Sequence, residues 1–173
     1  MKNKIGGIKI FKSDIYKDNR GFFKEVYKKN IIKNNELIFH CTSSSKKNVL
    51  RGLHIQIKNS QAKFLTVLKG RIFDVLLDLR KKSRTFGMHF SINLSNQLYS
   101  SIYIPEGFAH GFCGLDNENI VYYGCSKYRE KDHEIGIIWN DQDLNIKWPI
   151  KKPILSKKDS HNISFKEYCN KYK

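Results

Sequence analysis

The chain has 173 residues, of which 40% are hydrophobic and 28% charged, and its formal net charge is +16. This length suits one domain spanning residues 1–173, and the composition excludes a disordered or fibrous protein. No apolar run approaches the roughly 18 residues of a membrane span, and the lysines and glycines between Met1 and Phe11 do not fit a signal peptide. We therefore expect a cytoplasmic protein without membrane contact.

The positive charge comes mainly from lysine, with 26 Lys against 6 Arg, and the lysines are spread from Lys2 to Lys173. Nucleic-acid-binding proteins concentrate their basic residues in a patch, and arginine is prominent in their base and phosphate contacts. We therefore predict no nucleic-acid partner. A smaller anion, such as a diphosphate, fits the charge equally well.

Short segments in which apolar and polar residues alternate follow one another along most of the chain, and this period of two indicates half-buried strands. In chain order the predicted strands are 7–11, 22–27, 36–42, 49–57, 64–69, 71–80, 88–95, a segment containing Leu98, Ile102 and Ile104, 120–126 and 134–139. Turn sequences lie at 18–21, 58–60, 81–83 and 116–117, and helices are predicted only at 28–33 and 164–172. This pattern predicts an all-β fold, a double-sheet β-sandwich or jelly roll with short peripheral helices.

The first candidate site residues lie in the segment Leu50-Arg-Gly-Leu-His-Ile-Gln56. In a regular strand His54 and Gln56 share a face, whereas Arg51 points away. The glycine at position 52 is typical of a β-bulge, which would bring Arg51 and His54 to one site.

Lys63 shares its predicted strand face with Leu65 and Val67. A lysine on an apolar face is costly unless it has a partner or the face lines a ligand cavity. The alternative is that Lys63 lies at the end of the strand and extends to water. This segment alone does not decide between the two interpretations.

The segment 104–112 contains Pro-x-Gly-x-x-His after a predicted strand, which resembles the second motif of the cupin superfamily. The first cupin motif carries His-x-His, then a glutamate and a glycine, and its aligned positions here are His54, Gln56, Lys63 and Gly70. Metal-binding cupins use the histidines and the glutamate as ligands. Here a charged ammonium without a lone pair replaces the glutamate, and the four cysteines form no Cys-x-x-Cys pair. We predict a metal-free site and reduced thiols.

Several longer segments are similar, in the same order, to the dTDP-4-dehydrorhamnose 3,5-epimerase family of nucleotide-sugar enzymes. They are Asp18-Asn-Arg-Gly-Phe-Phe-Lys-Glu25, Asn48-Val-Leu-Arg-Gly-Leu-His-Ile-Gln56, Asp74-Val-Leu-Leu-Asp-Leu-Arg80 with Ser83-Arg-Thr-Phe-Gly87, Ile104-Pro-Glu-Gly-Phe-Ala-His-Gly-Phe112, Trp139-Asn-Asp141 with Ile146-Lys-Trp-Pro149, and Leu155-Ser-Lys-Lys-Asp159. The resemblance implies a cupin jelly roll that catalyses without a cofactor. Its implied substrate is a nucleoside-diphosphate 4-keto-6-deoxy sugar, specifically dTDP-4-dehydro-6-deoxy-D-glucose, whose ketone acidifies the C–H bonds at C3 and C5.

The resemblance also implies catalytic roles. His54 is the general base, and Asp159 fixes the tautomer of its ring. Lys63 stabilises the enolate oxygen, and Tyr123 is the acid on the opposite face of the sugar. Periodicity alone leaves Tyr122 and Tyr123 open, and it is the resemblance that selects Tyr123.

The implied substrate-binding residues are Arg20, Phe23, Glu25, Arg51, Gln56, His110, Tyr128, Glu134 and Lys158. Of these, Arg20, Phe23 and Glu25 would reach the nucleotide site of a neighbouring subunit, which implies a homodimer. Arg51 and Lys158 would meet phosphate. For Glu134 the alternative is a solvated charge at the end of a strand.

The chain departs from the family pattern at two places. Where the family usually has Gln-x-Asn-x-Ser, this chain has Phe39-His-Cys-Thr-Ser43, and where two tyrosines are common it has Tyr128-Arg129. Both lie in substrate-contacting regions, so the alternatives include a 3-only or 5-only epimerase and an enzyme for a GDP- or CDP-linked hexose or heptose. Two other classes are a metal-dependent cupin oxygenase, whose ligand set is missing, and a non-catalytic sugar-nucleotide-binding cupin, which does not need the catalytic set.

Overall fold

The computed structural model describes residues 5–32, 36–97 and 101–173. Within these ranges the strands are β1 (Lys9–Phe11), β2 (Ile15–Asp18), β3 (Gly21–Lys24), β4 (Phe39–Ser45), β5 (Leu50–Gln56), β6 (Lys63–Lys69), β7 (Arg71–Asp78), β8 (His89–Ser95), β9 (Ser101–Ile104), β10 (Phe108–Gly114), β11 (Asn119–Cys125) and β12 (Glu134–Gly136). The described residues also contain one α-helix, α1 (Phe165–Tyr172), and the 3-10 helices Lys29–Ile31, Lys131–His133 and Asp159–His161.

Ten of the strands form two five-stranded antiparallel sheets. The first sheet has the order β1-β9-β6-β11-β4, and the second sheet has the order β12-β5-β10-β7-β8. Strands β2 and β3 pair separately as a hairpin. This double-sheet jelly roll confirms the predicted fold class, in which helices are short and peripheral.

The main core fills the space between the two sheets. It contains Leu65 and Val67 from β6 and Val121 from β11, packed against residues of β7 and β10 such as Leu76 and Phe112. A second apolar cluster covers the outer face of the second sheet, where the C-terminal segment packs against it. Strands β5, β7 and β10 are therefore covered on both faces, and polar side chains on their inner faces are shielded from water.

The predicted strand near Met88 and the predicted C-terminal helix are both present. Helix α1 begins with a capping box, in which the Ser164 hydroxyl accepts from the Glu167 backbone N–H (3.2 Å) and the Glu167 carboxylate accepts from the Ser164 N–H (2.7 Å). Only a 3-10 turn, Lys29–Ile31, falls within the predicted helix 28–33. Position 33 and Leu98 lie outside the described residues.

Two of the observed strands were not predicted from the sequence. Strand β10 (Phe108–Gly114) is buried along its whole length in the middle of the second sheet, so it shows no alternation of apolar and polar residues. Strand β2 (Ile15–Asp18) is mostly exposed, because among the described strands it pairs only with β3 in the hairpin. The predicted strand 134–139 is shorter than expected, and β12 ends at Gly136.

Candidate active site

A cavity of about 340 Å³ opens between the inner faces of the two sheets. It contains eight of the thirteen predicted site residues: Arg51, His54, Lys63, His110, Tyr123, Glu134, Lys158 and Asp159. Its walls also include residues outside that set, among them Phe39, Cys41, Cys125 and Arg129. A wider cavity beside α1 contains only Lys158 of the predicted set, so the acid–base groups converge on the smaller one.

The predicted bulge in β5 brings Arg51 and His54 to the same cavity. On β10, His110 pairs with His54 and Phe112 pairs with Arg51, so only Gly111 faces the two intervening residues of β5. Gly52 has a φ of +109°, and a Cβ at this position would lie 2.5 Å from Gly111 Cα. Only glycine fits this close approach of the two backbones.

His54 and Asp159 form a hydrogen-bonded pair. His54 Nε2 lies 2.5 Å from Asp159 Oδ1, and the Ser156 hydroxyl donates to the other carboxylate oxygen at 2.9 Å. Burial would raise the pKa of Asp159, whose side chain is only 5% exposed, but the hydrogen bond and charge of His54, together with hydrogen bonds from Ser156 and Asn162, outweigh this and the pKa lies below its ordinary value. The ionised carboxylate favours the tautomer with the proton on Nε2, which leaves the lone pair of Nδ1 available as a base.

Lys63 lies at the start of β6 and points into the cavity, so the structure favours the ligand-cavity interpretation over extension to water. Its ammonium makes no hydrogen bond or ion pair within the described part of the chain. Burial lowers the pKa of Lys63, and the positive charge of Arg129 adds to this effect. Because the Lys63 ammonium has no partner among the described residues, its N–H donors are available to a ligand.

Tyr123 lines the cavity, whereas Tyr122 points to the outer face of the first sheet. Tyr123 Oη lies 3.4 Å from Ser43 Oγ, and its ring meets the His110 ring edge-on with centroids 6.3 Å apart. The Tyr122 hydroxyl instead lies 2.7 Å from His40 Nδ1. Burial raises the pKa of Tyr123 well above its ordinary value, so the phenol keeps its proton. It reaches the cavity from the first sheet, and His54 reaches it from the second.

A second histidine–carboxylate pair, absent from the predicted site, supports His110. His110 Nε2 lies 2.7 Å from Asp74 Oδ1, both side chains are buried, and Asp74 Oδ2 has no hydrogen-bond partner among the described residues. On β7, Asp74 stands between Ile72 and Leu76 on the inner face of the strand. A carboxylate in an apolar stripe was the signal in the sequence that would have identified it.

Three ionic residues stand at the mouth of the cavity, and we call them the rim triad: Arg129, Glu134 and Lys158. Arg129 donates to both carboxylate oxygens of Glu134, at 2.8 and 3.0 Å, and Lys158 Nζ donates to one of them at 2.6 Å. The Glu134 side chain is only 12% exposed, so the alternative of a solvated strand-end charge is wrong. Burial would raise its pKa, but the bonds from the two cations outweigh this and lower it to about 2.

Arg51 is held at the cavity wall by two hydrogen bonds to β4. Its Nε donates to the Ser45 hydroxyl at 2.9 Å, and one terminal nitrogen donates to the Ser44 carbonyl at 3.0 Å. The remaining guanidinium donors are available to a ligand in the cavity.

Gln56, predicted to bind substrate, is not among the residues that line the cavity, because its amide is used within the protein. Its amide nitrogen donates to the carbonyls of Asn59 (2.8 Å) and Tyr128 (3.3 Å), and its amide oxygen accepts from the Glu130 N–H at 2.9 Å. The loop around Tyr128 covers this buried side chain. Gln56 therefore holds the loop from which Arg129 extends.

Four further predicted residues lie outside the cavity. Arg20, Phe23 and Glu25 belong to the β2–β3 hairpin or its end, where Arg20 pairs with Asp18 at 2.6 Å and Glu25 pairs with Lys28. Tyr128 packs against Phe39, with ring centroids 6.2 Å apart. The Phe23 and Tyr128 side chains are exposed, and none of the four touches the cavity of its own chain.

The fold and the cavity define a cupin-type protein with an acid–base site. Among the described residues no three His, Cys, Asp or Glu side chains form a cluster that could hold a metal ion. No helix within those residues has the length and hydrophobicity to cross a membrane. The family model described as dTDP-4-dehydrorhamnose 3,5-epimerase matches residues 2–167.

The dTDP-4-dehydrorhamnose 3,5-epimerase of Shigella flexneri is 39% identical over 171 residues, which cover 95% of this chain and 94% of the relative. The solved dTDP-6-deoxy-D-glucose-3,5-epimerase of Legionella pneumophila, in complex with dTDP-4-keto-L-rhamnose, matches with a TM-score of 0.89 and 36% identity over 94% of this chain and 89% of that chain. The solved epimerase of Mycobacterium tuberculosis matches with a TM-score of 0.91 and 34% identity, and the match covers 98% of this chain and 89% of that chain. This chain belongs to the dTDP-4-dehydrorhamnose 3,5-epimerase family and is a carbohydrate epimerase.

Proposed function

We propose that this protein converts dTDP-4-dehydro-6-deoxy-D-glucose to dTDP-4-dehydro-L-rhamnose by inverting C3 and C5, without a cofactor. The observation that carries the proposal is that His54, from the second sheet, and Tyr123, from the first, line opposite walls of one cavity. The relatives named for this reaction, and the Legionella pneumophila complex, support the substrate assignment.

His54 acts as the base in the first half of the reaction. The lone pair on its Nδ1 takes a proton from a carbon next to the C4 ketone, and the electrons of the broken C–H bond move to the ketone oxygen as an enolate forms. Asp159 stabilises the resulting imidazolium through the 2.5 Å bond to Nε2. The ammonium of Lys63, which has no partner among the described residues, stabilises the enolate oxygen.

Tyr123 acts as the acid in the second half. Its hydroxyl delivers a proton to the opposite face of the same carbon, which inverts that centre, and the enolate electrons return to form the new C–H bond. Because burial raises the pKa of Tyr123, the phenolate left behind readily takes a proton back from solvent, and the His54 imidazolium gives the proton it took up to solvent, so both groups are reset. C3 and C5 both flank the C4 ketone, so the same pair of groups serves both carbons in turn.

A homodimer belongs to this proposal. The β2–β3 hairpin exposes three large aromatic side chains, Tyr16, Phe22 and Phe23, which are 61–65% exposed. Such a patch is typical of a surface that a partner covers, and Arg20, Phe23 and Glu25 would then reach the nucleotide site of the second subunit. Light scattering at micromolar concentration should give a dimer, and a fully active monomer would contradict this part.

The second candidate is a 3-only or 5-only epimerase, or one that acts on another nucleotide. It is favoured by Phe39, Cys41 and Arg129, which line the cavity where the family commonly has other residues. The deciding experiment incubates the protein with dTDP-, GDP- and CDP-linked 4-keto sugars in D₂O and counts the deuterons incorporated at C3 and C5. Two deuterons in the dTDP-linked sugar support the leading proposal. No exchange with any of these sugars would contradict both.

A further inference from the structure

We infer that Arg129 is a diphosphate-binding residue and that the rim triad forms a two-cation receptor for the phosphates of the nucleotide sugar. The inference rests on the proposed function, because it assigns the part of the site that holds the substrate's diphosphate. A tyrosine is common in the family at this position, so Arg129 gives this chain a charge that the family pattern does not supply.

The geometry places two cations beside a single oxygen atom. Arg129 Nη2 and Lys158 Nζ both donate to Glu134 Oε1, at 3.0 and 2.6 Å, so both cations reach the same oxygen atom. A negatively charged oxygen of a diphosphate can likewise accept from two cations. Glu134 thus occupies, in the free protein, the kind of position that a phosphate oxygen can take.

Both cations keep donors for a ligand. A guanidinium has five N–H donors and an ammonium has three, and within the described residues Arg129 uses Nε and Nη2 while Lys158 uses one bond. Both side chains are about half exposed and line the cavity, whereas the carboxylate between them is nearly buried. The unused donors are therefore accessible to a ligand in the cavity.

The charge of the cavity supports an anionic ligand at this end. Arg51, Lys63, Arg129 and Lys158 supply four positive charges to its lining, against the carboxylates of Glu134 and Asp159, and Asp159 is engaged by His54. The remaining positive charge complements a diphosphate. The planar fork of Arg129 is well suited to phosphate, with which it can make two parallel bonds.

The competing interpretation is a structural surface ion pair, which contributes to folding and contacts no substrate. Arg71 provides a matched control, because it makes a similar two-pronged contact with Asp116 (2.7–3.2 Å) on the exposed surface, away from the cavity. If Arg129 were only structural, Arg129→Gln and Arg71→Gln would behave alike in ligand binding.

The test is isothermal titration calorimetry of the full chain with dTDP, inorganic pyrophosphate and thymidine, for the wild type and for Arg129→Gln, Arg129→Tyr and Arg71→Gln. We expect Arg129→Gln and Arg129→Tyr to weaken dTDP and pyrophosphate binding by roughly ten- to a hundredfold, the loss expected for a hydrogen bond to a charged group. Thymidine binding should be unchanged, and Arg71→Gln should behave as the wild type. Raising the salt concentration should weaken diphosphate binding less in the Arg129 variants than in the wild type.

Three results would overturn the inference: dTDP affinity within twofold of the wild type in Arg129→Gln, an equal loss for thymidine, or a wild-type protein that does not bind pyrophosphate. The proposed function is tested separately by deuterium exchange. Normal pyrophosphate binding without exchange in any 4-keto sugar would count against the proposed function and leave the role of Arg129 standing.

Discussion

The interior of the cavity and its rim are built differently. In the interior, His54 and His110 stand opposite each other on paired central strands, and each is fixed by a buried carboxylate, Asp159 or Asp74. At the rim, Arg129 and Lys158 extend from non-strand segments, are half exposed, and are held, among the residues that the structure describes, only through Glu134. The comparison indicates that the sheets fix the two histidine–carboxylate pairs, whereas the groups at the rim can change without disturbing the sheets.

The largest loss of activity is expected from a substitution in the interior of the cavity. His54→Asn removes the proposed base, which Asp159 orients, so deuterium exchange at both carbons and product formation should fall by roughly 10⁴-fold, the upper range for a positioned general base. Proton NMR of the substrate in D₂O measures both rates. His89→Asn, the same change on β8 away from the cavity, should keep full activity. A folded His54→Asn protein that exchanges at nearly the wild-type rate would contradict the assignment.

A smaller effect, confined to the rim, is expected for Gln56→Leu. Loss of the amide frees the loop that carries Arg129, so KM should rise about tenfold with kcat nearly unchanged. Because backbone groups of Asn59, Tyr128 and Glu130 lose their partner, the free energy of unfolding should fall by about 1–3 kcal/mol.

Steady-state kinetics and urea denaturation check this prediction for Gln56→Leu. The exposed Gln142→Leu serves as control. A fall in kcat at constant KM would instead place Gln56 with the interior.

The smallest effect is expected for Glu134→Gln, and it concerns the free energy of unfolding and how this depends on pH. The folded-state pKa of Glu134, about 2, is below the ordinary value of 4.5, so its ion pairs stabilise the folded state above pH 4.5, and this contribution is lost as the pH falls towards 2. Glu134→Gln should therefore lower the free energy of unfolding at neutral pH by about 1–2 kcal/mol, after allowance for the half-exposed partners. Urea denaturation should show this difference from the wild type shrinking below pH 4.5. A difference that stays constant down to about pH 3 would show that the ion pairs do not stabilise the fold.

The interior was largely predictable from the sequence, because its signals are local. The alternation of residues in β8 and the apolar run in β6 predicted strands, and Gly52 predicted the bulge that joins Arg51 to His54. Strand β10 lacks the long apolar run that identified the equally covered β7, because its sequence, Phe-Ala-His-Gly-Phe-Cys-Gly, is rich in small residues, so it was missed. Two inward residues needed more than periodicity: Tyr123 was chosen over Tyr122 by family resemblance, and Asp74 was passed over although it interrupts an apolar stripe.

The rim was less predictable because contacts distant in sequence decide it. Gln56 shares a strand face with His54, as expected, yet the loop around Tyr128 covers its amide, 72 positions further along the chain. The sequence left open that Glu134 is a solvated charge at the end of a strand, because a strand pattern does not reveal its partner Lys158, 24 positions away. The roles of the site residues in binding and catalysis stay predictions.

The most direct test of the central claim, that His54 and Tyr123 act from opposite faces of the sugar, is Tyr123→Phe in D₂O with Tyr122→Phe as its control. Without the phenol, the enolate formed by His54 can be reprotonated only from the side of His54, which restores the starting configuration. We expect Tyr123→Phe to exchange deuterium into unepimerised substrate while product forms roughly 10²–10⁴-fold more slowly, and Tyr122→Phe to behave as the wild type. Loss of exchange and epimerisation together in Tyr123→Phe, or no change in either, would contradict the account.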